Sequence, residues 1–141
     1  MSPHHFTPAG RPRARAYAIP FDGRPGPFNA ITDVPGVSIG YVTLVSGDGP
    51  LVIGGGPVRT GVTAILPRPR EDLAIPVFAG IVSFNGNGEM SGSHGIEELG
   101  RFNMPVTITN THSCGLTREA TFKWMHRVAP DALDDTFGLP V

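Results

Sequence analysis

Glycine and proline punctuate this sequence too often for long helices to dominate it. Nineteen Gly and fifteen Pro fall within 141 residues. Gly ends regular structure through its conformational freedom, Pro through its missing N–H and fixed φ. Turns and strand ends are therefore favoured over extended helix. With 40% apolar and 16% charged residues, the chain is still large enough to bury a single core. A sheet-rich α/β chain is expected. Residues 1–27 are rich in Pro, Arg and His without an apolar period, and read as an extended N-terminal arm. Residues 28–141 read as part of one domain, with order beginning near Asn29.

Short apolar runs between the punctuation predict strands at Val37–Val45, Gly61–Leu66, Val77–Phe84 and Val106–Thr109. Several are apolar on successive residues, the pattern of strands covered on both faces. Helices are expected over Ser93–Arg101 and Leu116–Val128. In the second, Leu116, Ala120, Trp124 and Val128 recur every fourth residue, with Arg118, Lys123 and Arg127 off the stripe, which predicts a core-facing amphipathic helix. His126 and Arg127 suit its negative end, and Pro130 stops it. Beyond Pro130, the apolar end at Leu139 and Val141 looks like a strand just begun. The chain is accordingly expected to be incomplete at its C-terminus.

Charge and composition narrow the function. A net charge of -1 without a Lys/Arg cluster disfavours a nucleic-acid surface, which needs a concentrated basic face. Arg11, Arg13 and Arg15 are not followed by the apolar run of a signal peptide, and no run reaches the ~18 apolar residues of a membrane span. The lone Cys114 allows no intrachain disulfide, in keeping with a reducing cytoplasm. His4 and His5 lie in the arm, while His94, His112 and His126 share no ligand spacing, so neither a metal nor a cofactor is expected. Gly54, Gly55 and Gly56 lack the following Lys and Ser/Thr of a phosphate loop and read as a hairpin tip.

Two segments at strand-to-helix junctions stand out. Phe84-Asn85-Gly86-Asn87-Gly88-Glu89-Met90-Ser91-Gly92 fills the first two glycine positions of a dinucleotide fingerprint. Ser91 occupies the third, Glu89 would oppose the pyrophosphate, and no acidic residue ends the next strand. The residues leave open a tight glycine turn and a substrate-lining loop. In Ile108-Thr109-Asn110-Thr111-His112-Ser113-Cys114-Gly115, the neighbouring His, Ser and Cys suggest a hydrolase. Sequence neighbours rarely face one another, and a triad also needs a group to orient its base, so core or capping roles are the simpler reading.

Four segments occur in the order and spacing of one family: Asn29–Gly40 (NAITDVPGVSIG), Val58–Pro67 (VRTGVTAILP), Asn85–Gly92 (NGNGEMSG) and Pro105–Gly115 (PVTITNTHSCG). From about Arg13 to Val141 the chain resembles DmpA-type self-processing aminopeptidases, a family that includes D-aminopeptidase and β-peptidyl aminopeptidase relatives. Tyr41 stands where a His is frequent, and Cys114 where an aliphatic residue is frequent. The resemblance implies a four-layer αββα sandwich, of the ornithine-acetyltransferase-like kind, made as an inactive precursor that cuts itself before a Ser or Thr. That residue becomes an N-terminal nucleophile acting on peptides, amino-acid amides or esters with an unblocked amine.

The resemblance places the nucleophile far downstream of the matched segment, and the substrate-site Tyr and carboxylate shortly after Val141, so the catalytic residues are not in this chain. It implies that the turns Asn85–Ser91 and Thr109–Ser113 line or buttress the pocket, which makes Asn85, Asn87, Glu89, Met90, Ser91, Asn110 and His112 the candidate pocket residues. The expected partner is the C-terminal β-chain of the same precursor, within a homo-oligomer. A related acyltransferase, and an inactive truncated or structural chain, are the competing readings.

Overall fold

Two nine-residue runs rich in β-branched residues flank a Gly/Pro loop and form the longest pairing in the structure, a computed structural model that describes residues 2–133. Strand β1 (Ser38–Ser46) runs antiparallel to β2 (Val58–Leu66), in register from Ser38 opposite Leu66 to Ser46 opposite Val58. The connecting loop places Gly47, Gly49, Gly54 and Gly56 at positive φ, a region that only Gly enters without strain. The expected hairpin tip at residues 54–56 lies in this loop. Within β2, a Cβ on Gly61 would run into the Val42 carbonyl. Strand β3 (Val77–Phe78) and strand β4 (Arg101–Phe102) pair with each other, and β5 (Val106–Thr109) adds to the free edge of β2. The main sheet therefore has the order β1-β2-β5, all antiparallel.

Alternation along these strands divides their side chains between two faces. Gly40, Ala64 and Thr107 share one face, and Ile39, Ile65 and Val106 the other. Helix α1 (Ser93–Leu99) is a residue pair shorter than expected, because Gly100 takes a left-handed φ of 63° and closes it with an N–H to the Ile96 carbonyl. Helix α2 (Cys114–Val128) follows a 3-10 turn at Thr111–Ser113 and ends before a second 3-10 turn at Pro130–Leu133, with His126 and Arg127 in its last turn.

The core is small: Leu73, Met104, Met125 and Ala132 pack together, with Leu66, Trp124, Val128, Ala129 and Leu133 against them. This corrects the helical stripe. Thr121 and Met125 are the buried residues of α2, whereas Leu116 is 75% exposed. The C-terminal half of the helix packs on the core; the N-terminal half overhangs an open trough of ≈ 760 Å³, where Leu116, Ala120 and Trp124 face Gly40, Val62 and Ala64. Buried Asn103 donates from Nδ2 to the Ala132 carbonyl at 3.1 Å and ties the turn after β4 to the 3-10 turn at Pro130–Leu133.

The strand expected over Val77–Phe84 is also corrected. Only Val77 and Phe78 pair, opposite Phe102 and Arg101, and the ladder closes with Ala79 N–H to the Gly100 carbonyl at 2.9 Å. Strand β4, which no sequence signal marked, is two residues long because Gly100 precedes it and Asn103 and Met104 turn into the core. Residues beyond Ala79 have β propensity but no ladder among the described residues, and Val82 and Phe84 stand 85% and 95% exposed. Every residue of β1 is likewise exposed, so the cover expected on both strand faces is absent among the described residues. The strand expected to begin at residues 139–141 lies outside those residues.

The contacts divide the chain into two units, Met1–Val37 and Ser38–Val141. The sheets and both α-helices belong to the second. In the first, the Arg13 guanidinium donates to the carbonyls of Phe28 (3.1 Å) and Asn29 (2.5 Å), and Arg15 lies over the Phe21 ring at 5.0 Å. Asp33, in a 3-10 turn at Ile31–Asp33, accepts the backbone N–H groups of Phe28 and Ala30, each at 3.0 Å. The Ala30 bond above all holds its carboxyl below the ordinary aspartate value. Among the described residues no helix is long and apolar enough to cross a membrane.

Candidate active site

The turn after β5 is built by its own side chains. Asn110 donates both Nδ2 hydrogens, to Thr60 Oγ1 on β2 at 2.7 Å and to Ser113 Oγ at 3.0 Å. Its carbonyl accepts the Ser113 N–H at 3.0 Å and faces the Cys114 thiol at 3.7 Å. Thr109 Oγ1 donates to the Gly61 carbonyl at 2.9 Å. An Asn that favours turns, followed by Thr and Ser, thus converts the end of a strand into the first turn of α2 while remaining fastened to the neighbouring strand.

The glycine-rich loop before α1 is exposed throughout residues 85–90. Asn87 N–H donates to Asn85 Oδ1 at 3.1 Å, a side-chain-to-backbone turn. The loop ends at Gly92, whose φ of 77° precedes the helix and whose carbonyl accepts the Ile96 N–H at 3.3 Å.

These two segments meet at a recess of ≈ 310 Å³ lined by Glu89, Met90 and Ser91, by the whole of β5, and by Cys114, Thr117 and Arg118. Of the candidate residues, Glu89, Met90 and Ser91 are brought together in its wall. Asn110 sits behind the wall as a clamp between β2 and the helix start. Asn85 and Asn87 lie further along the exposed loop, and His112 is exposed in the 3-10 turn; none of the three lines the recess.

Sequence reasoning missed Thr60, Thr117 and Arg118. Thr60 could have been found, since it lies within the VRTGVTAILP segment, but its partner is fifty residues away. Arg118 lies off the apolar stripe of α2, and no local signal marks it as a wall of the recess.

The wall combines one carboxylate, one guanidinium, hydroxyls and apolar side chains, a set suited to binding and orienting a small polar molecule. Among the described residues no hydrogen bond joins His112 to Ser113 or Cys114, and no group of three or more His, Cys, Asp or Glu could hold a metal ion. The larger trough beneath α2 is mostly apolar; Arg70 lies over the Trp124 ring there at 5.4 Å, and Arg127 is at its margin.

Comparison with known proteins gives this arrangement a family. Residues 29–141 match the model of peptidase family S58. The chain is 55% identical over 114 residues to a β-peptidyl aminopeptidase BapA of Sphingosinicella microcystinivorans, covering 81% of this chain and 28% of that protein. It is 46% identical over 120 residues to a β-peptidyl aminopeptidase BapA of Sphingosinicella xenopeptidilytica, covering 85% and 30%. Among solved structures it resembles the L-aminopeptidase D-Ala-esterase/amidase of Ochrobactrum anthropi, with TM-score 0.75 and 48% identity over 90% of this chain and 35% of that one. That enzyme is described as a prototype of the serine aminopeptidases with a variant of the Ntn hydrolase fold. The chain spans about a third or less of the length of these relatives. Four separated motifs, two turns converging on one recess and a match from residue 29 onward agree: the chain belongs to peptidase family S58, the DmpA-type aminopeptidases it resembles in sequence.

Proposed function

We propose that this chain is the N-terminal portion of a self-cleaving aminopeptidase that removes N-terminal amino acids from peptides, amides or esters. The observation that carries the reading is the family match over residues 29–141, which takes in both segments that meet at the recess. The nucleophile is a Ser or Thr in the remainder of the protein, released as a new N-terminus. Its α-amine, with a pKa near ~8, can take the hydroxyl proton and so replace a separate base. Acyl transfer to that hydroxyl passes through a tetrahedral oxyanion held by hydrogen-bond donors, and water completes hydrolysis.

The present residues serve binding. Glu89, Met90 and Ser91 contact substrate from the recess, with the Glu89 carboxylate suited to a cationic amine. Asn110 holds the turn that shapes the recess, and Asn85, Asn87 and His112 belong to its outer rim. The open sheet face and apolar trough support a four-layer αββα arrangement in which the C-terminal β-chain of the same precursor supplies the missing cover. Assembly as a homo-oligomer in the cytoplasm is part of the same proposal.

The test is expression of the full-length protein, followed by intact mass and turnover of an aminoacyl anilide. Two chains and release of the chromophore support the reading. An uncut protein without turnover sinks it. A competing amine in the assay separates hydrolysis from transfer.

A further inference from the structure

We infer that the exposed loop before α1 is a site of spontaneous chemical modification, and that Asn87 deamidates through a cyclic imide ahead of Asn85. Two consecutive Asn-Gly steps, Asn85-Gly86 and Asn87-Gly88, lie in this loop, and every residue from 85 to 90 is exposed. A following Gly matters because its backbone nitrogen is the nucleophile and no side chain hinders its approach or the backbone rotation this needs. A Cβ placed on Gly86 or Gly88 would meet nothing within 4 Å, so the neighbouring structure leaves room for that rotation.

The chemistry needs only water. Gly88 N attacks Asn87 Cγ, the new N–Cγ bond forms as the Cγ–Nδ2 bond breaks, and Nδ2 leaves as ammonia with the proton from Gly88. Water then opens either side of the ring. Breaking the new N–Cγ bond gives aspartate; breaking the bond from that nitrogen to the Asn87 main-chain carbonyl gives isoaspartate, with one extra backbone carbon at that position. Both products carry a carboxylate where a neutral amide stood, two residues from Glu89.

The two sites differ in their bonding. Asn85 Oδ1 accepts the Asn87 N–H at 3.1 Å, which fixes that carboxamide toward residue 87 and away from Gly86 N. Among the described residues, neither the Asn87 carboxamide nor the Gly88 N–H is held by a hydrogen bond. The remaining asparagines lack the reactive step: Asn29, Asn103 and Asn110 precede Ala, Met and Thr, Asn103 is buried with Nδ2 on the Ala132 carbonyl, and Asn110 is clamped at both hydrogens.

The readout is mass, so the inference is independent of aminopeptidase activity. Full-length protein is incubated at mildly alkaline and at mildly acidic pH, digested and mapped by tandem mass spectrometry, with isoaspartate detected by isoaspartyl methyltransferase labelling. A peptide spanning residues 85–90 is expected to gain about one dalton, ammonia lost and water gained, faster at alkaline pH and at residue 87 first. The Asn87→Gln variant is expected to lose the early phase of that gain. Modification at Asn85 first, or an intact segment under conditions that convert an unfolded peptide of the same sequence, overturns the inference. Because the first measurement uses the unmutated protein, it does not depend on how the variant folds.

Discussion

Single side chains fasten the turns of this chain, and their loss has separable effects. Asn110 makes two side-chain bonds, to Thr60 and Ser113. Asn110→Ala in the full-length protein is expected to cost about 1–2 kcal/mol at the usual net value of a hydrogen bond, read by chemical denaturation, and, on the proposed binding role of the recess, to raise KM. Gly61 has no room for a side chain against the Val42 carbonyl. Gly61→Ala is expected to destabilise by about 1–3 kcal/mol, the usual range for forced overpacking, read as a lower denaturation midpoint. Asp33 adds a pH dependence. Its folded pKa is lowered by the Ala30 and Phe28 amides, so its contribution is complete above the unfolded pKa and is lost as pH falls through the folded one. The protection of the Phe28 and Ala30 amides, their exchange rates taken relative to the intrinsic rate at each pH, should therefore fall on acidification in the native protein, and Asp33→Asn should show the weaker protection already at neutral pH.

At the level of elements, local signals specify where strands and helices lie but not which elements they pair with. The strands expected at 37–45 and 106–109 and the helices expected at 93–101 and 116–128 lie within two residues of the observed bounds, whereas β2 starts at Val58, three residues before the expected Gly61, and α1 stops before Gly100. The strand expected over 77–84 failed beyond Phe78 because propensity does not supply a ladder, and β4 was missed because two residues carry no period. The stripe on α2 holds only in its second half: Trp124 and Val128 pack against the core beside Met125, which the stripe omits, while Leu116 is exposed. That difference is measurable. Met125→Ala should cost about 2–5 kcal/mol, as large-to-small changes in a filled core do. Leu116→Ala should cost less than Met125→Ala in the same full-length protein, because Leu116 lies outside this core. The recess was partly legible: NGNGEMSG and the Asn110 turn were singled out, but their meeting across β5 and the part played by Thr60 and Arg118 depend on contacts far apart in sequence.

For the whole molecule, the exposed apolar surface and the short span relative to the relatives make one prediction. Tyr41, Val42, Leu44 and Val45 on β1, and Val82 and Phe84 beyond β3, are exposed, a surface prone to association when left uncovered. Residues 1–141 expressed alone should associate and show no turnover of aminoacyl anilides, and co-expression with the remainder of the protein should restore a soluble complex. The most direct measurement is the intact mass and N-terminal sequence of the purified full-length protein. The account predicts two chains, the second beginning with Ser or Thr and a free amine, together with aminoacyl-anilide hydrolysis that is lost when that residue is changed to Ala. A single uncut chain, or hydrolysis that survives the change, would contradict it.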